Sequence, residues 1–438
     1  MSESTTSVRS NGNKIALILV IALFFLWALT SNLLPTLIPH LKKACQLDDL
    51  QSAFIDSAYW VAYFVMAIPA ALIMRRYNYK VGIICGLVIA AIGAACFYPA
   101  ADIRRFGVFL GALFLMASGM TFLETAANPY ITILGKPDTS SQRLNFAQAF
   151  NGLGAFVSTF FISKMILSGI DYTPDQLAKM SPIELNKYLS SEATRVQWPY
   201  LAIAAVLLLV AVLFYMVKLP PVPEEKAESL KIDVSVFKHR HFAFGVIAQF
   251  FYVGAQVCIS SFFIRYTKYS AGLTEAQIND AHYLGYLLLC FMIGRYVGAF
   301  LMTKIKPQRL LFLYSVFNIL LLAYCVFIGG KWGMYAMMGV EFFMSLMFPT
   351  IFALGIKDLG NQTKIGSSFM VMSIVGGALI PLGLGYLSRQ FNIQIAYLVP
   401  MSCFFVILYY GWSGYKIRGR HFELSDNNMM MEVANAGD

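Results

Sequence analysis

Twelve apolar runs, each roughly twenty residues or longer, divide this chain and constrain it more than any single motif. They fall at about 15–39, 52–74, 81–100, 106–134, 144–167, 196–217, 242–266, 281–303, 308–328, 332–356, 366–388 and 395–417. As helices, runs of that length match the roughly 30 Å hydrocarbon core of a bilayer. Without water to satisfy the backbone, such runs must be helical. Of 438 residues, 58% are hydrophobic and 13% charged. A soluble domain could not hide that much apolar surface. The expected fold class is an all-α membrane protein with twelve transmembrane helices. The first run is too long for a signal-peptide core.

The net charge of +10 does not indicate nucleic-acid binding, because the basic residues lie in short loops between the runs. Most of them fall on one side if the N-terminus is cytoplasmic: Arg75, Arg76, Lys80, Lys136, Arg143 and Lys304 are examples. Positive-inside bias then puts both termini in the cytoplasm of a multi-pass protein. The seven cysteines have no paired or metal-ligand spacing and read as small buried side chains.

Expected units are a cytoplasmic N-terminal tail at 1–14, a six-helix bundle at 15–217, a cytoplasmic linker at 218–241, a second six-helix bundle at 242–417 and a cytoplasmic tail at 418–438. The linker carries LPPVPEEK (219–226), which is turn-like. Residues 180–189, outside the membrane, could form a short interfacial helix. The halves also echo one another. The fourth run ends NPYITILG (128–135) and the tenth FPTIFALG (348–355), each with Pro, four residues, then Leu-Gly. A basic loop follows the second run (75–82) and the eighth (304–310). Two pseudo-symmetric bundles around a central path are therefore expected.

No P-loop, GxSxG or HExxH is present, and the five histidines sit near run ends or in tails. An enzyme is not expected, nor is a metal site or cofactor. The residue that stands out is Glu124, in FLETAANPY (122–130), within the fourth run. A charge at bilayer depth costs roughly 2.5–3.5 kcal/mol by insertion scales, so it tends to face a cavity and mark an ion or substrate path. Low-dielectric surroundings disfavour a charged carboxylate, which suits a proton carrier. Thr125, Asn128 and Pro129 surround it.

Other polar side chains converge in the same bundles. The fifth run gives Gln148 and Asn151, three apart on one face; the first gives Trp27, Ser31 and Asn32. The seventh gives Gln249, Tyr252 and Gln256 as one stripe. Amides match sugar hydroxyls and aromatic rings match a sugar's C–H face. The plainer reading of each amide is helix-to-helix glue. Asp56, near the outer end of the second run, and Glu341, in the tenth without an obvious partner, are possible secondary coupling residues. Arg295 reads as an anchor to carbonyls or a carboxylate.

At these positions the chain resembles the fucose–galactose–glucose symporter group of the major facilitator superfamily, and within it the bacterial L-fucose:proton symporters. The resemblance rests on FFLWA (24–28), LETAANP (123–129), RLNFAQAFN (143–151), KMSP (179–182), AQFFYVGAQ (248–256), PTIFALGIK (349–357) and GSSFMVM (366–372). It implies two six-helix bundles with alternating access, and uptake of a monosaccharide with a cation. It also implies that Glu124 couples proton to sugar and that Gln148, Asn151, Asn32 and Trp27 face the sugar. One departure stands out. The group's first span carries an Asp where this chain has Pro35, in SNLLPTLIP (31–39). Three routes then stay open: coupling through Glu124 alone, coupling that draws on Asp56 or Glu341, or coupling altered toward sodium or facilitated diffusion.

The expectation is a secondary active transporter in a bacterial inner membrane, working as a monomer. It imports a neutral monosaccharide, L-fucose first, by proton symport. The alternative is a sodium-coupled or uncoupled glucose or galactose transporter. Its partners are the sugar, the coupling cation (a proton favoured over sodium) and the lipid bilayer.

Overall fold

A computed structural model describes residues 2–33, 37, 40–41, 44–47, 49–162, 166, 172, 176, 179–219, 232–274, 277–278 and 282–417. Pro35, most of the expected linker (220–231) and the C-terminal tail (418–438) lie outside the described residues.

The N-terminal bundle comprises α1 (Ser2–Ser31), α2 (Asp49–Arg76), α3 (Tyr79–Ala95), α4 (Phe106–Ile133), α5 (Ser140–Val157) and α6 (Gln197–Met216). The second comprises α7 (Arg240–Ala271), α8 (Tyr283–Leu301), α9 (Pro307–Phe327), α10 (Gly330–Met344, resumed at Met347–Gly355), α11 (Thr363–Met372, resumed at Gly376–Gln390) and α12 (Leu398–Tyr409). Among the described residues, ten helices are long and apolar enough to cross a membrane. The other two expected spans are α1, whose apolar part is the shorter Ile15–Ser31, and α5. The latter passes into a π-turn at Ser158–Ile162 before the described residues break off. The first expected run extended to 39, but α1 ends at Ser31. There Thr30 Oγ1 and Asn32 Nδ2 turn back to the Leu26 and Ala28 carbonyls, at 2.9 and 2.8 Å.

The interfacial helix is longer than the sequence suggested and covers Pro182–Thr194. Ser181 caps it, accepting from Glu184 N while the Glu184 carboxylate accepts from Ser181 N. The Ser181 hydroxyl also donates to that carboxylate at 2.8 Å, and this bond, with the one from Ser181 N, holds the Glu184 carboxyl below its ordinary range.

Packing repeats between the bundles. The contacts α1 with α5, α2 with α4, α3 with α4 and α3 with α6 recur as α7 with α11, α8 with α10, α9 with α10 and α9 with α12. Even the close approaches repeat. A Cβ on Gly154 of α5 would run into the Phe25 carbonyl of α1, and one on Gly376 of α11 into the Phe250 carbonyl of α7. Small residues at crossings let backbones approach where no hydrophobic drive exists between helices. Gly154→Leu should therefore overpack the α1–α5 crossing, at a cost of about 1–3 kcal/mol. The thermal unfolding midpoint in detergent falls. Gly111→Leu leaves it unchanged, since a Cβ there meets nothing within 4 Å.

Between bundles, α2 packs on α11 and α5 on α8; α4 also touches α11, and α5 touches α10. Each pair of contacts is related by the same pseudo-twofold. These contacts concentrate at the end where odd-numbered helices begin. Lys364 Nζ donates to the Met74 carbonyl at 2.8 Å, and Asn145 Nδ2 to Thr350 Oγ1 at 3.0 Å. The molecule is closed at that end.

Candidate functional site

The fourth helix carries Glu124 into the bundle interior rather than toward lipid. The residue is 5% exposed and its Oε2 has no hydrogen-bond partner. The Tyr63 hydroxyl and the Asn128 amide are set against its carboxylate. Tyr63 in turn accepts from Trp27 Nε1 at 3.0 Å, and the Tyr59 and Tyr63 hydroxyls lie 3.3 Å apart. The two rings stack at a tilt, with centroids at 5.0 Å, because an i,i+4 spacing on α2 places one above the other.

A chain of polar contacts leads from Glu124 across to the other bundle. Asn128 lies one turn along α4, and its Oδ1 accepts from Gln148 Nε2 on α5 at 3.0 Å. Gln148 then receives Arg295 of α8 twice from Nη1, on its backbone carbonyl at 2.9 Å and on Oε1 at 3.3 Å. Arg295 Nε bonds the Ser345 carbonyl at 2.9 Å, and the guanidinium lies 4.6 Å from the Phe291 ring centre. Ser345 is four residues before Pro349. Proline has no N–H, so the helical bond to the Ser345 carbonyl cannot form. That explains both the break in α10 and the carbonyl offered to Arg295. The expectation of an anchor to carbonyls fits Arg295; that one of them belongs to Gln148, across the interface, has no signal in the sequence.

A cavity of about 240 Å³, counting its open mouth, is lined by Leu23, Phe24, Trp27, Leu123, Glu124, Ala127 and Gln148. Its wall is apolar and aromatic, with one carboxylate and one amide. That is the mixture that orients a small polar ligand.

Of the residues selected from sequence, Trp27, Glu124 and Gln148 line this cavity, and Asn128 is one bond away. Asn151 is buried one turn beyond Gln148 with its Nδ2 unpartnered. Asn32 is not brought to the cavity wall: its amide donor is used on the Ala28 carbonyl. Gln249 and Tyr252 are fully buried on α7, with both Gln249 amide atoms and the Tyr252 hydroxyl unpartnered; Gln256 is half-buried. None of the three lines this cavity. Glu341 does have a partner: Ser260 Oγ donates to its Oε1 at 2.7 Å. Asp56 lies within α2, and its side chain is outside the described residues. Among the described residues, no three His, Cys, Asp or Glu side chains are grouped to hold a metal. Sequence reasoning missed Tyr59 and Tyr63. Their i,i+4 spacing in a run facing Glu124 was the available signal.

Buried polar atoms without partners are uncommon, and each costs roughly 1–3 kcal/mol. Here Glu124 Oε2, Asn128 Nδ2 and Asn151 Nδ2 occur close together on α4 and α5.

The family model of the Major Facilitator Superfamily matches residues 19–384. The chain belongs to this superfamily. Among its members, the L-fucose-proton symporter of Escherichia coli (strain K12) is 41% identical over 398 residues, covering 89% of this chain and 90% of that one. A glucose/galactose transporter of Brucella abortus is 39% identical over 415 residues, covering 94% and 96%. Among solved structures, the superfamily transporter FucP in the outward conformation superposes with a TM-score of 0.86 at 39% identity, covering 92% of this chain and 99% of that one. The two-bundle fold and the pseudo-symmetric packing are those of the superfamily.

Proposed function

We propose that this chain is a secondary active transporter that imports a neutral monosaccharide, L-fucose first, together with a proton. The observation that carries this reading is Glu124: a buried carboxylate with an unpaired oxygen on the wall of a small, part-aromatic cavity. The amides beside it offer both donors and acceptors, as a ring of hydroxyls requires. The similarity to the Escherichia coli L-fucose-proton symporter supports the same choice.

Closure at the end assigned to the cytoplasm and the superposition on FucP in the outward conformation both support an outward-facing state. In that state, ionised Glu124 holds the empty site. A proton from outside neutralises it, and sugar binds among Gln148, Asn128 and Asn151 with Trp27 against its C–H face. Neutralisation and sugar each favour the occluded form, because a ligand shifts an equilibrium only by binding its states differently. The bundles rock, and proton and sugar leave inside. The protein is a monomer in a bacterial inner membrane, both termini in the cytoplasm.

A second reading is a glucose or galactose carrier, sodium-coupled or uncoupled, favoured by the similarity to the Brucella abortus transporter. Uptake of labelled L-fucose into proteoliposomes separates the two. Accumulation driven by an inward pH gradient without sodium is the expected result. Accumulation only with a sodium gradient, or only of galactose or glucose, would replace it with the second reading.

A further inference from the structure

The mechanism above uses one buried carboxylate, but each bundle holds one. Among the described residues the buried acidic side chains are Glu124, Glu192 and Glu341. Glu192 belongs to the interfacial helix, beside Arg195 at 3.8 Å. That leaves Glu124 in the first bundle and Glu341, 1% exposed, in the second. They lie on pseudo-equivalent helices: Glu124 is five residues before Pro129, and Glu341 eight before Pro349. The offset of three residues is about one turn, roughly 4.5 Å along the axis.

Three features set Glu341 apart from a structural acid. First, Ser260 donates to it from α7, and Ser260 continues the stripe Gln249, Tyr252 and Gln256. Two members of that stripe, wholly buried, have unpartnered polar atoms. Second, Arg295 on α8 lies within electrostatic reach of Glu341, but its hydrogen bonds go to the Ser345 and Gln148 carbonyls and to the Gln148 side chain. Among the described residues, Glu341 has no ion pair. Third, that same Arg295 grips Gln148 on the cavity wall. The other titratable groups facing Glu341 are Tyr252 on α7, Cys290 on α8 and Tyr397 just before α12. A buried, unpaired carboxylate is costly when charged, while a fixed guanidinium nearby offsets part of that penalty. Both protonation states are therefore reachable.

We propose that Glu341, held by Ser260, is a second proton site, in the C-terminal bundle, that works in the same cycle as Glu124. The proposal rests on the symport reading. A proton enters from the outer water, binds the Glu341 carboxylate and is released inside; no other bond changes. The nearby guanidinium and the single hydroxyl ligand favour a proton over sodium. Loss of the Glu341 charge leaves Arg295 without a competing anion, so its hold on Gln148 tightens as the site fills.

The test is infrared difference spectroscopy of the full chain in lipid, following protonated-carboxyl bands against pH and on adding L-fucose. In Glu124→Gln, a band that titrates with pH and responds to L-fucose remains; Ser260→Ala displaces it and Glu341→Gln removes it. If Glu341→Gln does not fold, the first two variants still decide. A Glu124→Gln protein with no titrating band, or with one that ignores both sugar and Ser260→Ala, overturns the proposal. Failure of the symport reading is distinguishable, because wild-type proteoliposomes would then show no pH-driven uptake at all.

Discussion

Glu124→Gln abolishes accumulation while leaving exchange largely intact. In proteoliposomes with an inward pH gradient, the variant brings labelled sugar only to equilibrium, with an inside-to-outside ratio of about one, because no free energy from the gradient reaches the sugar. The reason is local. Glutamine keeps the size of the side chain and resembles the neutral carboxyl, so Tyr63 and Asn128 keep a neighbour of the same shape. What it cannot do is alternate between charged and neutral. The step that makes sugar binding depend on a proton is lost, and the site is held in its sugar-ready form. Counterflow, which needs only the loaded carrier to rock, continues and loses the part of its dependence on external pH that Glu124 carries. Concentrative uptake by Glu124→Gln equal to wild type would remove Glu124 from the coupling step. Loss of both counterflow and binding would instead mean that the substitution had damaged the sugar site.

Glu124 was legible in the sequence for a simple reason: a charge in an apolar run needs a cause, and the bilayer leaves few. The helices were legible because bilayer thickness sets their length; α4 differs from its expected run by one residue at its C-terminal end. What sequence could not supply was direction. Asn32 has the right chemistry and the right helix, but at the end of α1 its amide was captured by the Ala28 carbonyl. Local backbone competition of that kind is a known habit of Asn side chains. Glu341 seemed partnerless because its partner Ser260 is 81 residues away. Tyr63 was passed over because tyrosine is common in such chains; only the fold puts its hydroxyl between Trp27 and Glu124. The break in α10 was written in Pro349, yet its consequence, a free carbonyl at Ser345, acquires meaning only once α8 brings Arg295 to it.

Arg295→Ala should shift the balance between the two ends of the transport cycle. Arg295 is 3% exposed and makes one set of bonds within its own bundle and another across the interface. Bonds to a charged donor contribute about 1.5–3 kcal/mol each. The bond to Ser345 is internal to the second bundle, so losing it weakens that bundle without preferring either conformation. The Gln148 bonds join the bundles in the observed state, closed at the end where odd-numbered helices begin. Losing them, two bonds shared by one nitrogen and counted together as one, moves the conformational equilibrium toward the opposite state by roughly 10- to 150-fold, the factor that about 1.5–3 kcal/mol represents. Distances between spin labels on the two bundles, measured by pulsed electron resonance, report this directly: the distances at the closed end lengthen in Arg295→Ala. Arg295→Lys gives an intermediate result, since an ammonium lacks the planar fork that reaches Ser345 and Gln148 together. Adding Pro349→Ala separates the two contributions. Alanine restores an N–H for the Ser345 carbonyl, so stability lost through that carbonyl returns, while the conformational shift through Gln148 persists. A double variant that recovers both would place the whole effect in α10 and remove Arg295 as a tie between the bundles.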